Sequence, residues 1–363
     1  MEIGAVPLTR QLKYVQIAEA LKADIVAGRL APNDRLPSFA DLRERYGATP
    51  ATASQAYAVL ERERLVTRER GRGVFVGAPR RSRTGIVAVT GGCYARPHLW
   101  AYWSSLFQGI EEAAAKAGVE MLFTKLGSET MLSDKIDGVL LSEQFADATS
   151  RKLPSGLPCV SLLLPIEGVM SMAVDDYHGV RMAIDHLLAL GHRKIAYLCE
   201  GYQGYWTRRR LCAYRDGLEE AGIARDARWL RSLPATLPGD CDFRLGGLNA
   251  MRTWLRDDWR ELGCTALLVH NDDAANGALQ ALAEAGVHVP RQVSVMGFDG
   301  AGTDQMCIPP LTTIQVPLRQ IGAAGMELLL RLIRGETPES ASGATCTLFP
   351  VRLIDRESTA PPN

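Results

Sequence analysis

The stretch that decides the fold is Thr49–Arg64, T-P-A-T-A-S-Q-A-Y-A-V-L-E-R-E-R. It predicts a helix, because Thr49 can accept hydrogen bonds from first-turn amides and Pro50 presets φ where no N–H is needed. The apolar residues recur at helical spacing and should face a core: Ala53, Ala56, Tyr57 and Leu60. Small side chains, Ala51, Thr52, Ser54 and Gln55, are left facing outward, as the DNA major groove requires of an inserted helix. Taken alone, the same pattern also fits a surface helix of any small α domain.

Two shorter helices are predicted before this stretch. Apolar residues at helical spacing run from Tyr14 to Ile25 and stop near Gly28, a candidate glycine after a helix end. Ser38 and Asp41 have the spacing of a capping box and should start a second helix. Gly47 then permits a tight turn into the Thr49 helix, so that the two helices form a helix-turn-helix.

A short β-hairpin is predicted after the long helix. Residues 65–68 and 74–76 are apolar strands, and the glycines of the segment 69–73 allow a tight reversal. Arg68, Arg70 and Arg72 would place three positive charges on the tip, which suits phosphates or a narrow minor groove. A basic hairpin by itself is usually only a solvated turn.

Together these elements resemble the GntR family of winged-helix repressors, over about residues 12–76. The resemblance is carried by Tyr14–Ile17, Gly28–Leu30, Leu36–Ser38, Tyr46–Thr49 and Gly71–Val76. We expect the following residues at the DNA interface: Ser38, Thr49, Thr52, Ser54, Gln55, Arg68, Arg70, Arg72 and Gly73. The family usually has arginine where this chain has Ala40 and Pro50, and often at Ser54. The operator is therefore expected to differ from the common family sequence.

Beyond residue 85, apolar strands alternate with amphipathic helices. Apolar segments include Gly85–Val89, Asp137–Leu141, Lys194–Cys199, Ala266–Val269 and Val293–Gly297, with helical patterns such as 176–190 and 274–285 among them. This alternation predicts parallel sheets that are buried on both faces.

This part resembles the ligand-binding module of the LacI family, itself similar to periplasmic sugar-binding proteins, over about residues 85–358. The motifs are His186–Ala196, Asn271–Leu279, Val289–Asp299 and Pro309–Ile314. The resemblance implies two doubly wound subdomains, three crossovers and an effector cleft between the subdomains. Only residues 125–136 are available for a helix that the family has before the Asp-Gly strand, so this helix is expected to be shortened or absent.

The predicted fold class is therefore a multidomain protein: a small α+β winged helix-turn-helix head and an α/β periplasmic-binding-protein-like body of two doubly wound parallel-sheet subdomains. We place the head at residues 1–76, a polar basic linker at 77–85, and the ligand-binding and dimerisation domain at 86–363.

The resemblance also implies which residues bind the effector. The family uses an arginine and a carboxylate to bind ligand hydroxyls, and Arg210 and Asp299 occupy those positions. A salt bridge at the cleft edge is the alternative for Arg210, and a helix cap for Asp299. Asn271 and Asp272 lie between a strand and a helix, so a cap is at least as plausible as a ligand contact.

Aromatic side chains in the same loops could stack on the carbon face of a sugar ring. They are Trp100, Tyr102, Trp103, Tyr205, Trp206 and Phe243, of which we select Trp100, Tyr102, Trp206 and Phe243 as ligand contacts. The alternative is packing between the subdomains.

Charge and composition bound the function further. Residues 1–85 hold 15 Lys and Arg against 9 Asp and Glu, a net +6, whereas the remainder holds 26 against 32, a net −6. Only the head is therefore expected to meet a polyanion. The eight cysteines are spread singly, and there is neither an apolar signal segment nor a run of about 18 apolar residues, so a cytoplasmic protein is expected. The six histidines lack metal-ligand spacing, and only His270 is near a cleft motif, so no metal or other cofactor is expected.

The leading hypothesis is a ligand-responsive transcriptional repressor, not an enzyme. As a homodimer it would bind double-stranded operator DNA and release or engage it when a small molecule, expected to be a carbohydrate, closes the cleft. Alternatives are a pyridoxal-phosphate-type enzyme fused to the head, a solute-binding protein, and a DNA-binding protein with a degenerate cleft. No segment suited to a pyridoxal-phosphate Schiff base is evident.

Overall fold

A computed structural model describes residues 13–31, 34–63, 65–69, 72–77, 84–90, 100–124, 135–142, 157–201, 204–233, 242–336 and 346–363; the side chains of 69, 100, 101 and 303 are not described. The chain divides into two compact units, Met1–Arg83 and Thr84–Asn363.

The first unit contains the predicted helix-turn-helix. Its elements are α1 (Lys13–Val26), α2 (Phe39–Tyr46), α3 (Pro50–Arg62), β1 (Val66–Glu69) and β2 (Gly73–Val76). Ser38 caps α2 in a complete capping box with Asp41, and Gly47 ends the helix at φ 55°, which glycine adopts without steric cost. Thr49 caps α3, as its sequence predicts. Ile17, Leu42 and Leu60 are fully buried, so one apolar core joins the three helices.

The wing is a two-stranded β-hairpin with one additional bridge from Arg35. β1 and β2 pair antiparallel from Val66 opposite Val76 to Glu69 opposite Gly73. Arg35 also pairs with Phe75, and the amide of Leu36 donates to the carbonyl of Val74 at 2.7 Å. This bridge was not predicted, because Arg35 lies between polar residues and Leu36-Pro37 and has no alternating apolar pattern around it.

The second unit contains one parallel sheet and one mixed sheet, each with six strands among the described residues. The first sheet has the order β13-β7-β6-β5-β3-β4, and the second has the order β14-β12-β11-β10-β8-β9. Their strands are β3 (Ile86–Thr90), β4 (Glu120–Thr124), β5 (Gly138–Leu141), β6 (Cys159–Leu162), β7 (Met170–Val174), β8 (Ile195–Cys199), β9 (Leu230–Ser232), β10 (Ala266–Val269), β11 (Ser294–Asp299), β12 (Thr312–Gln315), β13 (Cys346–Phe349) and β14 (Arg352–Ile354). All described pairings in these two sheets are parallel except β12 with β14.

Helices cover both sheets, as expected for parallel strands with apolar side chains on both faces. They are α4 (Trp100–Ala117), α5 (Asp176–Ala189), α6 (Tyr205–Glu220), α7 (Phe243–Asp257), α8 (Trp259–Leu262), α9 (Asp272–Glu284) and α10 (Leu318–Ile333). The chain leaves the first sheet after β7, returns to it through α10 after β12, and crosses again between β13 and β14. Residues 125–134, which are most of the segment where this helix is expected to be shortened or absent, lie outside the described residues.

Two helix pairs approach so closely that only glycine fits at their contacts. A Cβ on Gly277 of α9 would lie 1.9 Å from the carbonyl oxygen of Arg244 in α7, and one on Gly247 would lie 2.1 Å from that of Ala274. Gly109 of α4 meets Arg319 of α10 in the same way, at 1.9 Å. The backbones of each pair are therefore in direct contact.

We expect Gly277→Ala to lower the free energy of unfolding by about 3 kcal/mol or more, because the methyl group must push α7 away from α9. Chemical denaturation followed by circular dichroism measures this loss. Gly222→Ala is the control: Gly222 has φ +67° with open space around it. That variant is expected to lose only about 1 kcal/mol of stability, the cost of placing a side chain at a positive φ. Equal losses in both variants would contradict the steric explanation.

Candidate functional site

A cleft lies in the second unit, at the carboxyl ends of β8, β10 and β11. Side chains from both sheets and their helices line it: Tyr102, Trp103, Leu163, Val174, Asp176, Glu200, Trp206, Arg210, Phe243, His270, Asn271, Asp273 and Asp299. Ligands of open α/β sheets bind at this end of the strands. The cleft combines aromatic faces with paired donors and acceptors, which is what a small polyhydroxylated ligand needs.

Arg210, on α6, is the central basic group of the cleft. Its Nε donates to Asp176 Oδ1 at 2.7 Å, and its Nη1 donates to the carbonyl oxygen of His270 at 2.5 Å. The guanidinium lies 3.7 Å from the ring centroid of Phe298. Burial by itself would lower the pKa of Arg210, but Asp176 and Asp299 raise it above its ordinary value. The side chain is thus a permanently charged donor whose orientation its neighbours fix. The salt bridge that was the alternative interpretation of Arg210 is present as its hydrogen bond to Asp176.

Asp299 ends β11 and lines the cleft with an unusual backbone. Its φ is +126°, a region that L residues rarely adopt and that is often strained at functional sites. Burial raises the pKa of Asp299 well above its ordinary range, while the charge of Arg210 opposes that rise. Among the described residues, none donates a hydrogen bond to this carboxylate, so the helix-cap alternative has no support.

Asp272 faces away from the cleft, and its neighbour Asp273 lines the cleft instead. The Asp272 carboxylate accepts from Thr313 Oγ1 at 2.6 Å and from the Gly300 amide at 2.7 Å. It therefore positions the turn that follows Asp299, and Asp272 is not among the side chains that line the cleft. Asn271 lines the cleft and also caps α9, since its Oδ1 accepts from the Ala274 amide at 2.9 Å.

The predicted aromatic residues divide into three groups. Trp206 and Phe243 line the cleft, as does Tyr102. Trp103 also lines it, although it is only 1% exposed. Tyr205 is absent from the described lining, and the side chain of Trp100 lies outside the described residues.

Glu200 and His270 are among the cleft residues that were not selected from the sequence. Glu200 accepts from Trp206 Nε1 at 2.6 Å and from Thr207 Oγ1 at 3.1 Å, and burial raises its pKa. Each of the two is the first residue after a strand, β8 or β10. That position is the signal that would have found them, because strand ends of one parallel sheet meet at one edge.

His270 is the unusual member of the lining, since neither of its ring nitrogens has a hydrogen-bond partner among the described residues. The side chain is only 6% exposed, and its ring packs edge-on to Phe243 at 5.1 Å. Burial, together with the charge of Arg210, lowers the pKa of His270 to about 3. The imidazole is therefore neutral and keeps one donor and one acceptor for a bound molecule.

Two further features, a metal site and a membrane-spanning helix, are absent from the described part of the chain. No group of three or more His, Cys, Asp or Glu that could hold a metal ion occurs among the residues searched. No helix found among these residues has both the length and the apolar character needed to cross a membrane.

The first unit places the predicted DNA-contacting residues of α3 at its N-terminal end. Thr49 and Gln55 are exposed, and Thr52 and Ser54 are half-buried. Thr49 and Thr52 hydrogen-bond through their hydroxyls at 2.8 Å. Ser38 is exposed but is occupied by its capping box. The hydroxyl of Tyr57 donates to the Pro37 carbonyl, which ties α3 to the start of α2.

The wing arginines differ in their surroundings. Arg68 lies on β1, next to α3, where its Nε is 3.4 Å from Glu61 Oε1 and its Nη1 is 3.5 Å from Ser54 Oγ. Arg72 is exposed and its guanidinium is 5.6 Å from the Phe75 ring centroid. Gly73 has φ 130°, and a Cβ there would approach Arg35 Nε at 2.7 Å. Arg70 lies outside the described residues. The charge of Arg68 is thus partly balanced by Glu61.

Comparison with known proteins agrees with this division. Residues 13–76 match the bacterial regulatory proteins of the gntR family, and residues 184–359 match a periplasmic binding protein-like domain. The lactose operon repressor of Escherichia coli K12 is 28% identical over 259 residues, which cover 68% of this chain and 65% of that protein, just under two thirds. The arabinose metabolism transcriptional repressor of Geobacillus stearothermophilus is 23% identical and covers 96% of this chain and 97% of its own length. A solved LacI family transcriptional regulator from Enterococcus faecium, with bound ribose, is 26% identical with a TM-score of 0.63, covering 77% of this chain and 100% of that one.

The two domains and their relatives define a transcriptional regulator and not an enzyme. More specifically, the chain joins a GntR-family DNA-binding domain to a LacI-type effector domain with the periplasmic binding protein-like fold.

Proposed function

We propose that this protein is a transcriptional repressor whose affinity for operator DNA is set by a sugar, or a sugar derivative, bound in the cleft. The observation that carries the proposal is the arrangement of Arg210, Asp299 and Asn271 at one strand edge, beside the aromatic side chains of Trp206 and Phe243. A charged donor, a carboxylate and an amide can hold vicinal hydroxyls, and an indole or phenyl face can cover ring carbons. Relatives described as repressors of lactose, ribose and arabinose genes support the same ligand class.

The proposed mechanism is a shift between two states of the effector domain. A sugar that binds a closed cleft more tightly than an open one moves the population toward the closed state, and operator affinity changes by the same coupling free energy. We propose residues 1–76 as the DNA-binding domain, 77–85 as the linker and 86–363 as the effector and dimerisation domain.

Fluorescence anisotropy with DNA from the region upstream of the protein's own gene tests the proposal. We expect binding that prefers this DNA over random DNA at moderate salt, and an affinity that at least one mono- or disaccharide changes. Equal binding to random DNA contradicts the repressor function. Specific binding that no bound small molecule alters supports instead a regulator with a degenerate cleft.

We also propose that two chains associate through the effector domain. Met306 and Ile308 are 82% and 90% exposed, unusual for two large apolar residues so close in the chain. Adjacent exposed apolar side chains commonly mark an interaction surface. A dimer would place two heads on two half-sites of a pseudo-palindromic operator.

Ile308→Asp is expected to shift the protein from dimer to monomer in sedimentation velocity runs at micromolar concentration, because a charge would be buried at the interface. Val26→Asp is the matched control, since Val26 is 77% exposed but lies on α1 of the DNA-binding domain. If both variants stay dimeric, the interface does not include Ile308.

A further inference from the structure

The described lining of the cleft holds more acidic than basic groups. Four carboxylate residues, Asp176, Glu200, Asp273 and Asp299, are present beside one arginine, Arg210. A sugar without charge needs hydrogen-bonding groups but no excess of either sign. The excess of carboxylates is therefore a property of this cleft that neutral sugar binding leaves unexplained.

The one arginine does not balance this charge. Arg210 forms an ion pair with Asp176 at 2.7 Å, and both side chains are buried. Glu200 and Asp299 form no ion pair with a basic side chain among the described residues.

The second observation, independent of the carboxylates, is the unpartnered imidazole of His270. It lies in the lining, is more than nine-tenths buried, and has two ring nitrogens that lack a partner within the described structure. Because the ring is neutral, it adds no positive charge that would offset the acids. Its unprotonated nitrogen is an acceptor that can take an N–H or O–H hydrogen from a bound molecule.

The burial of these carboxylates favours one sign of ligand charge. Burial raises the pKa of Glu200 and of Asp299 although the charge of Arg210 opposes the rise, which means that Arg210 alone does not offset the cost of their charged forms. A cation in the cleft would relieve that cost, whereas a phosphate or a carboxylate on the ligand would add to it. Trp206 and Phe243 provide faces to which an ammonium group is attracted.

We propose that the effector is a sugar bearing a protonated amine, bound with its ammonium group against Glu200 and Asp299 and hydrogen-bonded to His270. This inference rests on the proposed function, because it names the subclass of sugar that the same cleft selects. It excludes neutral sugars, sugar acids and sugar phosphates as the preferred ligands.

Isothermal titration calorimetry with matched ligands tests the inference. For each of the gluco, galacto and manno series, the amino sugar is compared with the parent sugar, the N-acetylated sugar and the sugar 6-phosphate. The N-acetylated compound keeps the nitrogen and removes the charge. In one series or more, we expect the amino sugar to bind at least about tenfold more tightly than the other three, as a charge-assisted hydrogen bond implies. Equal or tighter binding of a neutral sugar or a phosphate overturns the inference.

Two variants assign the effect to the carboxylates. Asp299→Asn and Glu200→Gln remove a charge but keep the shape and an acceptor, and asparagine tolerates a positive φ better than most residues. Each is expected to weaken amino-sugar binding by about tenfold more than it weakens binding of the N-acetylated sugar. Glu284→Gln is the control, because Glu284 is exposed on α9 and pairs with Arg252 outside the cleft. Equal losses for charged and uncharged ligands would overturn the role of these charges.

The outcomes separate the inference from the function on which it rests. A neutral sugar that binds best and still changes operator affinity refutes the amine and leaves the sugar-responsive repressor in place. If no carbohydrate of any charge binds while the protein binds its operator, both the amine and the sugar class are refuted. Amine-selective binding without specific DNA binding supports the inference and refutes the repressor function.

Discussion

Arg210→Met is expected to give a protein that still binds operator DNA and no longer responds to its effector. The change removes the charged donor from the cleft and should weaken effector binding by at least about 100-fold, since each hydrogen bond to a charged group contributes about 1.5 to 3 kcal/mol. Operator affinity with and without effector, and calorimetric titration of the effector, measure the two halves of this prediction.

The same change has a cost in stability that must be separated from the loss of response. It leaves Asp176, which is 3% exposed, as a buried carboxylate without its partner, a loss of about 3 to 5 kcal/mol. The double variant Arg210→Met with Asp176→Asn removes that unpaired charge and should recover most of the stability without recovering effector binding. Arg208→Ala is the control, because Arg208 is exposed two residues earlier on the same helix. A double variant that regains the response would show that Arg210 acts only through folding.

Gln55→Ala and Arg72→Ala are expected to weaken DNA binding in different ways. Gln55 is exposed near the N-terminus of α3 and should contact a base edge, so its loss lowers the preference for the operator by about 1 to 3 kcal/mol per half-site. Because both subunits of a dimer carry the change, the loss of binding free energy on an operator with two half-sites is about twice the loss per half-site. Arg72 should contact phosphate, so its loss weakens binding to every sequence and flattens the salt dependence.

Anisotropy titrations on operator and random DNA over a range of salt concentrations distinguish the two variants. Arg62→Ala, in the last turn of α3, serves as a control for a charge change at the other end of the helix. The assignment of roles is wrong if Gln55→Ala and Arg72→Ala lose the same affinity on both kinds of DNA.

The sequence was most informative where an element carries its own local signals. Thr49 with Pro50 starts α3, and Ser38 with Asp41 starts α2, because capping chemistry acts within one helical turn. The parallel sheets followed from apolar strands that alternate with helices. The bridge between Arg35 and Phe75 could not be found in this way, because the two residues are 40 positions apart and the sequence around Arg35 has no strand pattern.

For the cleft, the sequence located the strand ends better than the side-chain directions. Arg210 and Asp299 were selected by resemblance, and the structure brings both to one cleft. Asp272 and Asp273 are consecutive at the start of a helix, where successive side chains point about 100° apart, so composition cannot tell which one enters the cleft. Glu200 and His270 belong to no motif, and only the assembled strand edge reveals them.

The order in which the chain is synthesised gives the three crossings a further consequence. The DNA-binding domain is complete at Val76, whereas the first sheet of the effector domain lacks β13 until residues 346–349 have left the ribosome. At about 5 to 20 residues per second, the intervening residues take roughly 15 to 50 s to translate. During that interval the nascent chain has a complete DNA-binding domain and an incomplete effector domain. If dimerisation requires the effector domain, such a chain is a monomer and can bind only one half-site of the operator. We therefore expect incomplete chains to repress only weakly.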